Sequence, residues 1–224
     1  MGVIAEPQDD LPSYLWPRPR YRGWLHAAGA LAVVPAGALL IAAASSPRAR
    51  LAAAIYAVAQ LAVFATSATY HLVARSPTAR RRMQMADHVM IYVLIAGTWV
   101  PVCLMVLPSD WGGRFLAGVA GIALLGIALK SFGIDRFPKS SNALYLVMGW
   151  IAVLALPSII RHIDVSALIL LGLGGLAYTI GAVVLFMRRP DPRPTEFGYH
   201  EIWHAFTVVA AAGHFAMVWI VVTS

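Results

Sequence analysis

His200-Glu201-Ile202-Trp203-His204 opens the last long apolar segment of the chain and sets two imidazoles one helical turn apart where a membrane helix begins. Histidines at i and i+4 share one face of an α-helix, so both rings can reach a single metal ion while the helix stays intact. The five residues also fit H-E-x-x-H, in which zinc proteases use the glutamate as general base. Ionisable groups in such places are costly, and their default reading is functional. Any further ligand has to come from another part of the chain, so the elements that carry it must be placed first.

Composition restricts those elements sharply. The chain of 224 residues is 60% hydrophobic and 12% charged, with mean hydropathy +0.73, and a water-facing surface cannot be built from it. The single cysteine, Cys103, lies in an apolar run, which excludes disulfides within the chain and thiolate zinc sites. A metal must therefore be held by histidine and carboxylate. The net charge of +7 reflects membrane topology rather than nucleic-acid binding, because the basic residues sit in short connections without interleaved aromatics. No short apolar run with a small-residue cleavage site precedes Trp24, so the first helix is expected to be retained.

Seven apolar runs are long enough to cross a hydrocarbon core of about 20 helical residues. They are Trp24 to Ser45, Leu51 to Val73, Asp87 to Leu107, Gly112 to Lys130, Ala143 to Ile160, Val165 to Met187, and Tyr199 to Val222. A lipid-exposed backbone must bond internally, and no alternating strand pattern suggests a barrel, so the expected fold is all-α, an integral membrane bundle of seven transmembrane helices. Residues 1–23 form a tail and 24–224 a single domain. The longest connections, Ala74 to Ala86 and Ser131 to Asn142, leave no room for a second one. Neither an internal repeat nor a pair of broken helices is evident. Gly172, Gly174, Gly175 and Gly181 in the sixth run are read as allowing close backbone packing.

Lys and Arg concentrate on cytoplasmic connections. The tail (Arg18, Arg20, Arg22), the second connection (Arg75, Arg80, Arg81, Arg82), the fourth (Lys130, Arg136, Lys139) and the sixth (Arg188, Arg189, Arg193) share one side. The other side holds only Arg48, Arg50, Arg114 and Arg161. The N-terminus is therefore expected in the cytoplasm and the C-terminus outside. With that topology His71, at the end of the second run, and Asp87, at the start of the third, fall in the same leaflet as His200 and His204. Three histidines and a water form a common catalytic zinc arrangement. Asp87 can ligate directly, or accept a hydrogen bond from the water and act as general base. Ser67, one turn before His71, can orient an imidazole or bond to substrate. Zinc suits these donors, although iron and nickel use them too.

The remaining histidines are read more plainly. His26, His88 and His162 are expected at helix ends, bonded to water or backbone. His214 lies ten residues beyond His204, roughly 15 Å along a helix, too deep to share the metal, and is expected to be packed and hydrogen-bonded. Haem held by His214 with His26 or His71 fails on depth, because bis-histidine ligands must face each other at one level. Glu201 projects about 100° round the helix from His200, which favours a plain role at the headgroup boundary over that of a protease base.

Four segments carry a family resemblance: Pro19-Arg20-Tyr21-Arg22-Gly23-Trp24-Leu25-His26, Ser67-Ala68-Thr69-Tyr70-His71, Asp87 followed by Ala96-Gly97-Thr98-Trp99-Val100-Pro101, and His200-Glu201-Ile202-Trp203-His204 with His214-Phe215. Together they resemble the hemolysin III branch of the PAQR (progestin and adipoQ receptor) family, which is similar to alkaline ceramidases. Val100 stands where many relatives carry a second threonine before the proline. The resemblance implies zinc held by His71, His200 and His204, with Asp87 on the metal's water and Ser67 nearby. It also implies a multi-pass protein of a bacterial cell membrane with a membrane lipid as substrate or ligand. The chemistry it suggests is hydrolysis of a lipid amide or ester. The alternatives are a membrane sensor or cytolysin-like protein with structural zinc, and an intramembrane protease. A small polytopic chain with almost no soluble part does not look like a secreted pore-former, which favours membrane homeostasis.

Overall fold

Serine–proline pairs start two of the helices that carry the candidate site. Ser46 and Ser76 are extended, and their hydroxyls accept the amide hydrogens of Ala49 (3.1 Å) and Ala79 (3.2 Å). Pro47 and Pro77 follow at the first helical position, where an N–H would have no intrahelical partner.

The structure, a computed structural model, describes residues 13–132 and 138–224, with only the backbone described at 13 and 138–142. Residues 1–12 of the tail and Arg136 lie outside the described residues, as does the side chain of Lys139. In chain order the helices are α1 (Trp24–Ala43), α2 (Pro47–Ala68), α3 (Pro77–Pro101), α4 (Ser109–Ser131), α5 (Pro138–Trp150), α6 (Ala152–His162), α7 (Val165–Met187) and α8 (Tyr199–Thr223). Single π-helical turns prolong α2 over Thr69–Val73 and α3 over Val102–Val106. The helix breaks at Ile151, so α5 and α6 share one crossing, Ala143–His162, and the described residues form seven spans long and apolar enough to cross a membrane. The expected all-α seven-helix class holds. Its non-helical pairing among the described residues is one isolated bridge, Arg193 with Phe197.

Several helix starts differ from the sequence reading, α4 at Ser109 rather than Gly112 and α5 at Pro138 rather than Ala143 among them. α2 begins at Pro47 rather than Leu51, and α3 at Pro77 rather than Asp87. The long connection expected from Ala74 to Ala86 shrinks to three residues, and Arg80, Arg81 and Arg82 ride on the first turns of α3. Hydropathy marks only the part of a helix that lies in hydrocarbon. The Ser76-Pro77 start signal continues the same helix beyond it.

α8 packs most extensively against α7 and also touches α1, α2 and α3. The Tyr56 hydroxyl and the Gln60 amide of α2 both donate to the Ala211 carbonyl of α8, at 3.4 and 3.3 Å. Tyr56, Tyr92, Val119, Met148 and Met217 fill the interior, while Leu31, Val58, Leu124, Leu154 and Phe186 face outward. This apolar outer surface is what a lipid-embedded bundle presents.

The glycines of α7 divide into two kinds. A Cβ on Gly174 would lie 2.3 Å from the His214 ring, and one on Gly181 2.7 Å from Phe206. Gly172 and Gly175 border open space, so the close-packing reading holds for half of the set. His214 is buried against Gly174 with its Nε2 3.3 Å from the Leu171 carbonyl, packed and hydrogen-bonded as expected. Gly174→Ala should therefore cost roughly 1–3 kcal/mol by overpacking, while Gly172→Ala should be neutral or mildly stabilising. Thermal unfolding in detergent compares the two directly.

Candidate metal centre

The final turn of α2 widens before it ends. The amide of Ala74 reaches back five residues to the Thr69 carbonyl at 3.0 Å, and His71 sits within this π turn. Such turns are rare and collect at functional sites because they re-aim a side chain. The His71 ring is buried, 6% exposed, and neither of its nitrogens has a hydrogen-bond partner among the described residues. His200 and His204 come to it from the first turns of α8. Ring centroids lie 5.2 Å apart for His71 and His200, 5.1 Å for His71 and His204, and 4.7 Å for His200 and His204. Each ring offers one nitrogen such that the three lie within 4.8 Å of one another. A tetrahedral zinc site with bonds of about 2.0–2.1 Å needs nitrogens roughly 3.3 Å apart, which small rotations of the rings supply. The cluster is suited to bind a metal.

Asp87 and Ser67 stand beside this cluster and pair with each other. Ser67 is buried at the end of α2 and its hydroxyl hydrogen-bonds the Asp87 carboxyl of α3. Asp87 is not among the groups whose donor atoms converge. His88, next along α3, turns away, with Nδ1 3.0 Å from the Gln84 carbonyl. His162 does the same with the Ser158 carbonyl at 2.8 Å. His162, at the end of α6, follows the plain reading; His88 follows it in its backbone bond but sits within α3, which starts at Pro77.

His26 does not follow it. It is buried, stacked on His204 with centroids 3.8 Å apart and planes 13° apart, and neither nitrogen has a partner among the described residues. Parallel rings direct their in-plane lone pairs in parallel, so this arrangement covers one face of His204 rather than adding a ligand to the same ion. The signal was available: the first span begins in the same leaflet as the triad.

Residues 13–23 form a strap across the same end of the bundle. The amides of Arg20 and Tyr21 donate to the carbonyls of Thr195 (3.0 Å) and Glu196 (3.2 Å) in the α7–α8 connection. Arg18 Nη1 donates to the carbonyls of His71 (2.8 Å) and Ala74 (3.0 Å), satisfying acceptors left open where α2 ends. Arg22 donates through Nε to Glu201 Oε1, and Glu201 Oε2 accepts the Gly198 amide at 2.8 Å. Glu201 is therefore a buried anchor of α8, and both its oxygens are engaged. Directly after Arg22, Gly23 has φ of 89°, and a Cβ there would lie 2.7 Å from the Cβ of His71. Only glycine admits so close an approach.

The family model for haemolysin-III-related proteins matches residues 14–215, which takes in the strap and every site residue. The chain belongs to the haemolysin-III-related family. Hemolysin-3 of Bacillus cereus is 31% identical over 190 residues, 84% of each chain. The Hemolysin-3 homolog of Bacillus subtilis (strain 168) is 32% identical over 161 residues, 72% of each chain. The human monocyte to macrophage differentiation factor is 26% identical over 174 residues, 76% of this chain and 70% of the relative. The human relative is of PAQR type, and the family match bears out the resemblance to the hemolysin III branch. A haemolysin-III-related chain with seven apolar spans is a multi-pass cell-membrane protein.

Breaking the buried Arg22–Glu201 pair should destabilise this family member strongly. Glu201→Gln or Arg22→Gln should each cost roughly 3–5 kcal/mol, because the remaining charge is left buried without its partner. The double variant should be less destabilised than the sum of the two. A double-mutant cycle on thermal or denaturant unfolding measures that coupling.

Proposed function

We propose that this protein binds zinc and hydrolyses an amide or ester bond of a membrane lipid, in the manner of a ceramidase, and that it serves membrane homeostasis. The observation that carries the reading is the convergence of three imidazoles from α2 and α8, with both nitrogens of His71 unclaimed by described protein groups. Three imidazoles leave one position of a tetrahedral ion open, as catalytic sites do. Zinc held there would polarise a carbonyl and lower the pKa of a water molecule.

The chain's own residues supply the rest. Asp87 stands apart from the donor triad, which favours a proton-handling role over direct ligation. Its carboxylate takes the proton as water attacks the lipid carbonyl, and returns it to the nitrogen or oxygen that leaves. Ser67 donates to that carboxyl and fixes its orientation. A site set among apolar spans favours a substrate that already resides in the bilayer. The distribution of Lys and Arg favours the cytoplasmic leaflet for this end of the bundle, with the C-terminus outside.

A second reading draws on burial. His71 and His204 are 6% and 2% exposed beneath the strap, which suits a structural zinc tying α2 to α8 in a membrane regulator. The protease reading loses its base, since Arg22 and Gly198 occupy both oxygens of Glu201. Asp87→Asn should lower turnover of a reconstituted short-chain ceramide or lipid ester by about 100-fold or more while retaining the metal. Full turnover in that variant defeats the hydrolase reading. A wild type that cleaves no lipid but loses thermal stability on chelation selects the regulator.

A further inference from the structure

Two arginines beside the metal centre hold charge that nothing described balances. Arg18 spends Nη1 on the carbonyls of His71 and Ala74, and its guanidinium lies 5.1 Å from the Tyr70 ring centroid. Its Nη2 is buried and has no partner among the described residues. Arg80, on the first turns of α3, has its Nε in the same condition. The ion pairs found among the described residues are Arg22 with Glu201, Arg114 with Asp110 and Arg193 with Glu196; neither Arg18 nor Arg80 takes part in one. The two groups also feel each other. Burial first, and then the charge of Arg80, hold Arg18 below the ordinary guanidinium range.

A guanidinium does not shed its proton near neutral pH, so two of them beside the α2–α3 connection, each with a buried N–H that lacks a partner among the described residues, call for an anion. A tetrahedral oxyanion suits the pair better than a carboxylate, because its oxygens spread in three dimensions and accept from two separate forks. The location agrees with this. α2 ends and α3 begins here, at one end of the apolar spans. There Arg81 and Arg82, with Tyr14, Pro77 and Thr78, line a cleft of about 270 Å³.

We propose that Arg18 and Arg80 form a phosphate-binding site beside the metal centre, filled by the headgroup phosphate of a lipid or by a free phosphate group. The site stands whether or not the metal centre turns over substrate. Because Arg18 also holds the carbonyl of His71, an occupant there is coupled to the turn of α2 that presents a metal-binding ring.

Purified protein in a neutral detergent tests this, its thermal midpoint titrated with sodium phosphate, short-chain phosphatidic acid, or short-chain diacylglycerol at constant ionic strength. Stabilisation by phosphate and by phosphatidic acid supports a site open to either source. Stabilisation by phosphatidic acid alone supports a lipid headgroup. Arg80→Gln should weaken the apparent affinity roughly tenfold or more, the value of a charge-assisted hydrogen bond. Arg81→Gln and Arg82→Gln, which remove the same charge from exposed positions, should change it less than about threefold. Arg18→Gln also releases the end of α2, so Arg80→Gln decides the matter, with Arg80→Lys as its charge-conserving companion. A wild type stabilised by neither phosphate probe, or equally by diacylglycerol, overturns the proposal, as does wild-type affinity in Arg80→Gln.

Discussion

Three imidazoles held together in an apolar bundle, with both nitrogens of His71 free of partners among the described residues, are the constraint on which the rest of the structure depends. A buried polar group without a partner is costly, and in hydrocarbon no water offsets that cost. His71 carries two such nitrogens. The fold keeps them free where an ordinary protein would give them a carbonyl, as it does for His88, His162 and His214. The contrast separates His71 from His88, His162 and His214; His26 shares the unpartnered nitrogens and is set apart by its stacking on His204.

The helices alone do not hold this arrangement. A helix end leaves backbone groups open, and the two helices that bring the rings together meet at their ends: the π turn closing α2 and the first turns of α8. The strap supplies a guanidinium to each. Arg18 takes the carbonyls at the end of α2, and Arg22 takes the carboxylate that also caps the start of α8. Gly23 lets the strap pass against His71. A segment outside the membrane spans thus sets the geometry of a centre assembled from two of them.

Much of this was legible in the sequence. Length and hydropathy of the apolar runs specified seven helices, and the i, i+4 spacing of His200 and His204 specified a shared face. Charge placement then grouped His71 with them, because orientation in a membrane converts position along the chain into depth. What escaped that reasoning is instructive. The start of α3 at Pro77 lies outside the hydrocarbon, where hydropathy carries no signal and Ser76-Pro77 does. The Arg22–Glu201 pair joins residues far apart in sequence, so the plain role read for Glu201 missed the partners that occupy both its oxygens. His26 was read as a solitary interfacial residue, although its depth already placed it level with the triad. Pairing across helices depends on which faces meet, and spacing along one chain does not encode that.

The claim at the centre of the account is that these rings exist to hold an ion. Metal analysis of protein purified without chelator or metal-affinity steps, by inductively coupled plasma mass spectrometry, tests it most directly. The account predicts about one zinc per wild-type chain and little or none in folded His71→Ala and His204→Ala. Metal-free wild-type protein that stays metal-free after dialysis against zinc, or full zinc occupancy in both variants, would contradict it.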